Sequence, residues 1–401
     1  MTEAGANEDA RLTNAACARP HATLSVCMIV RDEEQNLADC LESVRPSADQ
    51  IVVVDTGSTD ATVEVALAHG AEVHRIEWRD DFAAARNESL RHATSRWILW
   101  LDADDRIPPE QVERLRLLKT APPDRAFGLL VSNRAPGRFD ERWAQLRVFP
   151  NDPRLRFERP IHEQISPSVD ALGLPLLFVD IRIDHIGYAT PADRVRKALR
   201  NRALIERALA DHPDDPCYLS ALADSHCTAG ELHAAIPLLR RVAALPDGHE
   251  AVLQAPISLA DAHHRLGEHD EALRWLHLAI ERRPERLDAL FLAARCALAL
   301  GDDGLAARHL QAVIAAGDAG KGGITTTAAP DLGHFRGLAL VCLARLRARS
   351  GNRHEAAGLY ERACAEFPQI AEAPRELALL RASEDRLEAD RDRVRSATVT
   401  P

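Results

Sequence analysis

The sequence of 401 residues predicts an α/β domain with a mostly parallel sheet, followed by an all-α domain of helical repeats. Between Leu24 and about Arg106, short β-branched runs alternate with amphipathic helical patterns, as is typical of βαβ units. Past about Pro191 the strand patterns stop. Four glycines in that second half each follow an apolar helical stretch. We therefore expect a leader over 1–22, a first domain over 23–192, repeats over 193–380 and a charged tail over 381–401.

Four apolar runs predict the buried strands of the first domain: Leu24–Val30, Ile51–Asp55, Glu72–Ile76 and Trp97–Leu101. Helical patterns over 33–44 and 82–94 alternate with them, and another helix is expected to begin at Ser58-Thr59-Asp60, which are good N-cap residues. This order predicts a Rossmann-like sheet. Since such sheets bind ligands beyond the carboxyl ends of their strands, functional side chains are expected just after Val30, Val54 and Leu101.

The four glycines of the second half predict the turns between paired helices. The glycines are Gly230, Gly267, Gly301 and Gly351. One alanine precedes each glycine, always by the same number of residues: Ala223, Ala260, Ala294 and Ala344. A second alanine follows each glycine, again always by the same number of residues: Ala235, Ala272, Ala306 and Ala356. Small residues let paired helices approach closely, and glycine permits a left-handed turn. The pattern resembles the tetratricopeptide repeat, with an insert over 317–330. A generic alanine-rich helical bundle is the alternative.

Composition excludes several classes of protein. With 61 acidic and 50 basic residues, the net charge of -11 disfavours a nucleic-acid partner. The eight cysteines are scattered, with no CxxC pair and no metal-ligand spacing, and are expected to be reduced. No signal-peptide pattern opens the sequence, and no apolar run approaches the roughly 20 residues of a membrane helix. We therefore expect a cytoplasmic protein without a membrane span.

Acidic residues follow the fourth apolar run directly. Asp102 and Asp104 are spaced so that both carboxylates can converge on one divalent ion, and hard oxygen ligands suit Mg²⁺ or Mn²⁺. Acidic turns after strands are also common without a metal. The neighbouring strand ends add Asp55, which can accept a hydrogen bond from a base, and Gly57 before a helix N-terminus. Arg86 is able to pair with a diphosphate.

Each of these residues also has a structural alternative: Asp55 as a cap, Arg86 as a surface residue, and Glu33 as a partner of a helix dipole.

Motifs of the first domain resemble the family 2 glycosyltransferases, which have the GT-A fold. More narrowly, they are similar to the branch that carries tetratricopeptide repeats and includes the peptide S-glycosyltransferases of bacteriocin biosynthesis. The motifs are MIVRDEEQNLADCLESV, IVVVDTGSTD, DFAAARN, WILWLDADD, RVFPNDPRLRFERPIHEQI and IRIDHIGY.

The resemblance implies roles for the residues that match. Asp55 would hold the base and Glu33 would lie near the nucleoside, with Val30, Arg31 and Gly57 lining the same site. Asp102 would contact the ribose or the metal, Asp104 would ligate the metal, and Arg86 would lie near the diphosphate. The sequence departs from the family at Asp32, where relatives usually have asparagine.

The second half of the first domain supplies the remaining candidates. In the Ile-His-Glu element, Glu163 is expected to be the general base and His162 to orient it. His185 is expected to be a third metal ligand or a diphosphate contact. Without the resemblance, lone histidines and glutamates are more often structural than catalytic.

The resemblance implies an inverting transferase that uses a nucleoside-diphosphate sugar, most simply a UDP-sugar, with Mg²⁺ or Mn²⁺. We expect the acceptor to be a peptide or protein, with the helical repeats holding the acceptor or forming a homodimer. Two alternatives remain: a glycan or lipid-linked acceptor, and a non-catalytic scaffold with a degenerate transferase domain.

Overall fold

The computed structural model describes residues 23–133, 141–186, 191–246, 248–319, 332–368 and 370–397. The expected leader, and most of the expected insert over 317–330, lie outside these ranges. The chain divides into two compact units: the first ends at Val131 and resumes from Gln145 to Gly187, and the second takes 132–144 and continues from Tyr188. The change near 187–188 lies close to the expected boundary at 193, whereas the assignment of 132–144 has no counterpart in the sequence analysis.

One eight-stranded sheet organises the first unit. Its strands are β1 (Leu24–Val30), β2 (Gln50–Asp55), β3 (Glu72–Arg75), β4 (Trp97–Trp100), β5 (Asp105–Arg106), β6 (Ala126–Asn133), β7 (Glu141–Pro150) and β8 (Leu176–His185). The order is β3-β2-β1-β4-β7-β6-β8-β5. Strands β3, β2, β1 and β4 are parallel neighbours, and β7 then pairs antiparallel with β4. The α/β fold with its parallel half is as predicted.

Five helices accompany the sheet: α1 (Leu37–Val44), α2 (Thr62–Ala68), α3 (Phe82–Arg91), α4 (Val112–Leu118) and α5 (Ser166–Ala171). Side chains of alternate strand residues enter two apolar clusters, with Val26 and Leu99 in one and Cys27 and Ile98 in the other. Because side chains alternate across a strand, these clusters lie on opposite faces of the sheet. The sheet is thus packed against an apolar cluster on each of its two faces.

Two local predictions differ from the structure. Strand β3 is not buried as expected, because it is the last strand of its sheet edge, and Glu72 and Arg75 are exposed there. The helix expected over 33–44 begins only at Leu37, since residues before it form a turn. At the second helix, Asp60 does accept a hydrogen bond from the backbone N–H of Thr62, 3.0 Å away. The expected cap residue therefore acts at the first helical position.

Ten helices follow in the described part of the second unit: α6 (Pro191–Asp211), α7 (Pro216–Thr228), α8 (Leu232–Ala243), α9 (Glu250–Arg265), α10 (His269–Arg282), α11 (Leu287–Ala299), α12 (Asp303–Ala319), α13 (Leu332–Arg349), α14 (Arg353–Glu366) and α15 (Glu372–Ala397). The four predicted glycines lie between paired helices at φ of 77° to 84°. After Gly267, the N–H of Glu268 donates to the carbonyl of His263, a Schellman closure that recurs after the other three glycines.

All eight predicted alanines are fully buried, at 0% exposure. This confirms that small residues occupy the helix crossings. Part of the charged tail expected over 381–401 lies in α15, which continues as helix to Ala397. Among the described helices, none has the length and apolar character that crossing a bilayer requires.

Candidate active site

The predicted donor residues lie at one edge of the sheet. Asp55 ends β2 opposite Val30 of β1, and Trp100 of β4 lies opposite Cys27, so Asp102 follows at nearly the same level. Two strand spacings, roughly 10 Å, separate the backbones of Asp55 and Asp102. The parallel register therefore brings both carboxylates to the carboxyl edge that the alternation predicted.

Arg86 of α3 connects two of the candidate carboxylates. Its Nε donates to Glu163 Oε1 at 2.7 Å, and its Nη2 donates to Asp102 Oδ1 at 2.8 Å. The arginine side chain is 7% exposed, against 14% for Glu163 and 33% for Asp102. Burial acts to raise the pKa of Asp102, but the Arg86 and Arg147 guanidiniums outweigh it and hold that pKa well below its usual range. Asp102 is thus an anion whose side chain is one-third exposed.

Two arginines stack on Trp100. The guanidinium carbon of Arg86 lies 4.2 Å from the indole centroid, and that of Arg147 lies 3.7 Å away. The indole N–H is held by the carbonyl of Leu146 at 2.9 Å. Both cations therefore contact an aromatic face while they bind carboxylates, an arrangement that favours desolvated arginine.

Asp105 holds the acidic loop, residues 102–105, in place through hydrogen bonds. It was not predicted as a site residue. It is fully buried: its Oδ1 faces His185 Nδ1 at 2.9 Å, and its Oδ2 accepts from Arg147 Nη1 and from the N–H of Asp102, both at 2.9 Å. Pairing of β5 with β8 sets Asp105 opposite His185. Arg147 was missed as well. The only sequence signals were a third carboxylate in LDADD and a charge inside the apolar run of β7.

Asp104, Asp105 and His185 bring carboxylate and imidazole ligand atoms within 4.8 Å of one another. His185 Nδ1 is 3.5 Å from Asp104 Oδ1. Burial acts to lower the pKa of His185, but the hydrogen bond to Asp105 and the charge of Asp104 raise it overall. Because both Asp105 oxygens are bonded, that residue positions His185 by its Nδ1, as outer carboxylates do in metal centres. Asp104 and His185, with Asp102 nearby, offer the oxygen and nitrogen ligands that a divalent cation accepts.

The loops that follow β1 and β2 are hydrogen-bonded to each other. Asp55 is 2% exposed and its Oδ1 accepts from the N–H of Ser58 at 3.0 Å. Asp32 Oδ1 accepts from the N–H of Thr59 at 2.8 Å, and the N–H of Asp32 donates to Ser58 Oγ at 3.0 Å. Asp32 has φ of 53°, a conformation that asparagine also adopts readily. The departure from the family thus keeps the oxygen that binds the second loop.

The other predicted residues of this region make contacts that serve the fold, or are exposed. Val30 lies in the core and its carbonyl accepts from Thr56, whereas Arg31 is 54% exposed. Glu33 accepts from Asn36 Nδ2 at 2.9 Å. Gly57 has φ of 105° with open space around it, so it serves the turn and not a close approach.

The orienting role expected of His162 stays a prediction. Its side chain is exposed, and no hydrogen bond joins it to Glu163 within the described ranges. Arg86 makes that contact instead. His162 has φ of 55°, a strained value for a residue with a Cβ, and it precedes Glu163 in the turn.

Comparison with known proteins agrees with both units. Residues 25–173 match the model of glycosyl transferase family 2, and residues 257–288 match a tetratricopeptide repeat model. A TPR repeat-containing protein of Synechococcus elongatus is 34% identical over 317 residues, which cover 69% of this chain and 75% of that protein. The SPbeta prophage-derived glycosyltransferase SunS of Bacillus subtilis is 28% identical over 205 residues, 49% of this chain. The chain spans about half the length of SunS, 47%.

Solved structures similar to this chain include MamA, at 18% identity and a TM-score of 0.37 over 46% of this chain and 99% of that chain. Staphylococcus aureus TarS is similar at 16% identity and a TM-score of 0.36, over 62% of this chain and 54% of that chain. On the family match and the relatives in sequence, this chain belongs to the family 2 glycosyltransferases and carries a tetratricopeptide-repeat array after its transferase domain.

Proposed function

We propose that this glycosyltransferase is an inverting enzyme that moves a sugar from a UDP-sugar, in the presence of Mg²⁺ or Mn²⁺, to a side chain of a peptide or protein. The observation that carries the proposal is the contact of one buried arginine, Arg86, with both Asp102 and Glu163. This contact joins a candidate donor-binding residue to the candidate base over a few ångströms. A transferase needs those two functions beside each other.

The donor end would be built by Asp55 and the acidic loop. Asp55 would accept the imide hydrogen of uracil. Asp104 and His185 would hold the divalent ion, with Asp102 at the ribose or the ion. When bound, the ion would neutralise charge on the diphosphate as a Lewis acid. Asp105 and Arg147 would keep this loop in place, since they fix its backbone and His185 together.

The acceptor end would be Glu163. Its Oε1 is held by Arg86, whereas its Oε2 has no hydrogen-bond partner among the residues that the structure describes. Oε2 would take the proton from an acceptor hydroxyl or thiol, whose oxygen or sulfur forms the bond to the anomeric carbon. The bond from that carbon to the diphosphate oxygen breaks, and its electron pair leaves with the nucleotide. Attack from the opposite face inverts the configuration.

The helical array would hold the acceptor. Tetratricopeptide repeats suggest protein interaction, and an open cavity of about 500 Å³ in this array has an apolar lining with one arginine, formed by His264, Phe291, Arg295, Leu298, Leu338 and Cys342. This lining suits an apolar peptide segment with an acidic residue. The likeness to SunS, a glycosyltransferase, supports the transferase but not a particular acceptor.

Substitution of Glu163→Gln tests the base. Glutamine keeps an oxygen for Arg86 but cannot take a proton, so we expect sugar transfer to fall about 10²–10⁴-fold with little change in folding. The measurement is nucleotide release from a panel of nucleotide sugars with Mn²⁺ and a peptide mixture. Glu158→Gln, in the same segment but 43% exposed, is the control. Transfer by Glu163→Gln within threefold of wild type would exclude Glu163 as the base.

The same assay separates the alternatives. Nucleotide release that oligosaccharides stimulate and peptides do not would favour a glycan acceptor. No release from any donor, with or without Mn²⁺, would favour the scaffold.

A further inference from the structure

The helical array contains a cluster of soft metal ligands that the sequence did not indicate. His264 near the end of α9, His269 at the start of α10 and Cys296 of α11 bring two imidazole nitrogens and a thiol sulfur within 4.8 Å of one another. The spacing of the cysteines in the sequence gave no indication of a metal site at Cys296. Helix pairing places it beside histidines from the preceding repeat.

The separations suit a bound ion. His264 Nδ1 is 3.1 Å from His269 Nδ1 and 3.4 Å from Cys296 Sγ. Nitrogen and sulfur ligands of a tetrahedral zinc ion lie about 3.3–3.6 Å apart, given the usual zinc–ligand bond lengths. The two distances from His264 lie within a few tenths of an ångström of these values, and the ligand atoms of His269 and Cys296 lie within 4.8 Å of each other.

A second cysteine of the array provides a contrast. Cys217 Sγ lies 3.3 Å from His249 Nε2, a single thiol–imidazole contact. Cys217 and His249 belong to no group of three ligands within the described ranges. The cluster at Cys296 is thus distinguished by its convergence and not by a cysteine–histidine contact alone.

Burial and access also fit. Cys296 is 0% exposed, which protects a thiolate from oxidation, while His264 and His269 are half-buried. His264 also lines the open cavity of about 500 Å³, so an ion has a route to the ligands. Nearby charges have opposite signs, with Asp261 and Arg265 on α9 and Arg295 on α11.

We propose that His264 Nδ1, His269 Nδ1 and Cys296 Sγ form a binding site for a zinc-type divalent cation, with water as the fourth ligand. Binding forms three protein–metal bonds and releases the thiol proton of Cys296 to solvent. The imidazoles bind in their neutral forms. Since the ligands come from successive repeats, the ion cross-links the α9–α10 pair to α11. Hard cations such as Mg²⁺ prefer oxygen ligands and do not compete.

Cobalt(II) titration of the full chain tests the site, because a cobalt–thiolate bond gives a charge-transfer absorption that an oxygen site cannot give. We expect one equivalent of cobalt to produce the band, zinc to abolish it, and excess Mg²⁺ to leave it. Asp104→Ala is expected to keep the band, which separates this site from the acidic loop. His277→Gln, an exposed histidine of the same helix α10, and Cys364→Ser are the matched controls and are expected to keep it as well.

Cys296→Ser is expected to lose the band, and His269→Gln to weaken cobalt binding by at least about 100-fold, since even outer partners of metal ligands contribute 10–100-fold. Because Cys296 is buried, circular dichroism checks that its variant folds, and half-exposed His269 provides the second route. Absence of the band in the wild type, or its persistence in Cys296→Ser, would overturn the proposal. Unchanged affinity in His269→Gln would overturn the three-ligand assignment.

Discussion

Charged side chains have different places in the two units. In the transferase unit, Arg86 and Arg147 are 7% and 2% exposed and bind carboxylates far away in sequence. In the helical array, ion pairs such as Arg274–Glu271 lie on the surface between residues one helical turn apart. The array core consists instead mainly of alanine, leucine and other apolar residues. Buried charge is thus concentrated where chemistry is expected, and local apolar packing is concentrated where a repeated scaffold is needed.

Removal of Arg86 gives the largest expected effect on stability. Arg86→Met leaves Asp102 and Glu163 without their common partner, which should lower the free energy of unfolding by about 3 kcal/mol. Arg91→Met is the matched control on the same helix α3. Arg91 is 75% exposed, and Glu88 is its one ion-pair partner among the described residues, so its change should stay within about 0.5 kcal/mol. Denaturant unfolding measures both. Equal effects would show that the buried network does not differ from a surface pair.

Overpacking of a helix crossing in the array should cost less. Ala294→Leu adds volume at a fully buried position of α11, and we expect a loss of about 1–3 kcal/mol. Ala299→Leu, at an exposed position of the same helix, should change stability by less than about 0.5 kcal/mol. Thermal unfolding compares them. If Ala294→Leu is tolerated as well as its control, the crossings do not depend on small residues.

The smallest effect is expected for a surface ion pair of the array. Arg274→Ala removes a pair with Glu271 whose arginine is 75% exposed, and the expected loss is about 0.3 kcal/mol. High salt should reduce this difference further. A loss above about 1 kcal/mol at Arg274 would mean that the array, too, depends on specific charge contacts.

The fold followed from local patterns. Strands β1, β2 and β4 and the four glycine turns depend on short apolar runs and on backbone conformations that neighbouring residues dictate. The exposure of β3 was missed because edge position depends on strand order, which the run itself does not encode.

The candidate site was only partly predictable. Asp102, Asp104 and Glu163 stand in motifs, so the resemblance found them. Asp105 and Arg147 stand in less distinctive positions, and their importance depends on the pairing of β5 with β8 and of β4 with β7. These antiparallel contacts join distant segments that share no periodic signal. For the same reason the sequence did not indicate that helix packing brings Arg86 to Glu163.

Binding of UDP in the presence of Mn²⁺ tests most directly whether the acidic edge is one nucleotide and metal site. Calorimetry should show UDP binding to the wild type with Mn²⁺, at least about tenfold weaker binding with EDTA, and a similar loss in Asp104→Ala. Asp180→Ala, whose side chain is 83% exposed on β8, should bind as the wild type does. UDP affinity that is the same with Mn²⁺, with EDTA and in Asp104→Ala would contradict the account.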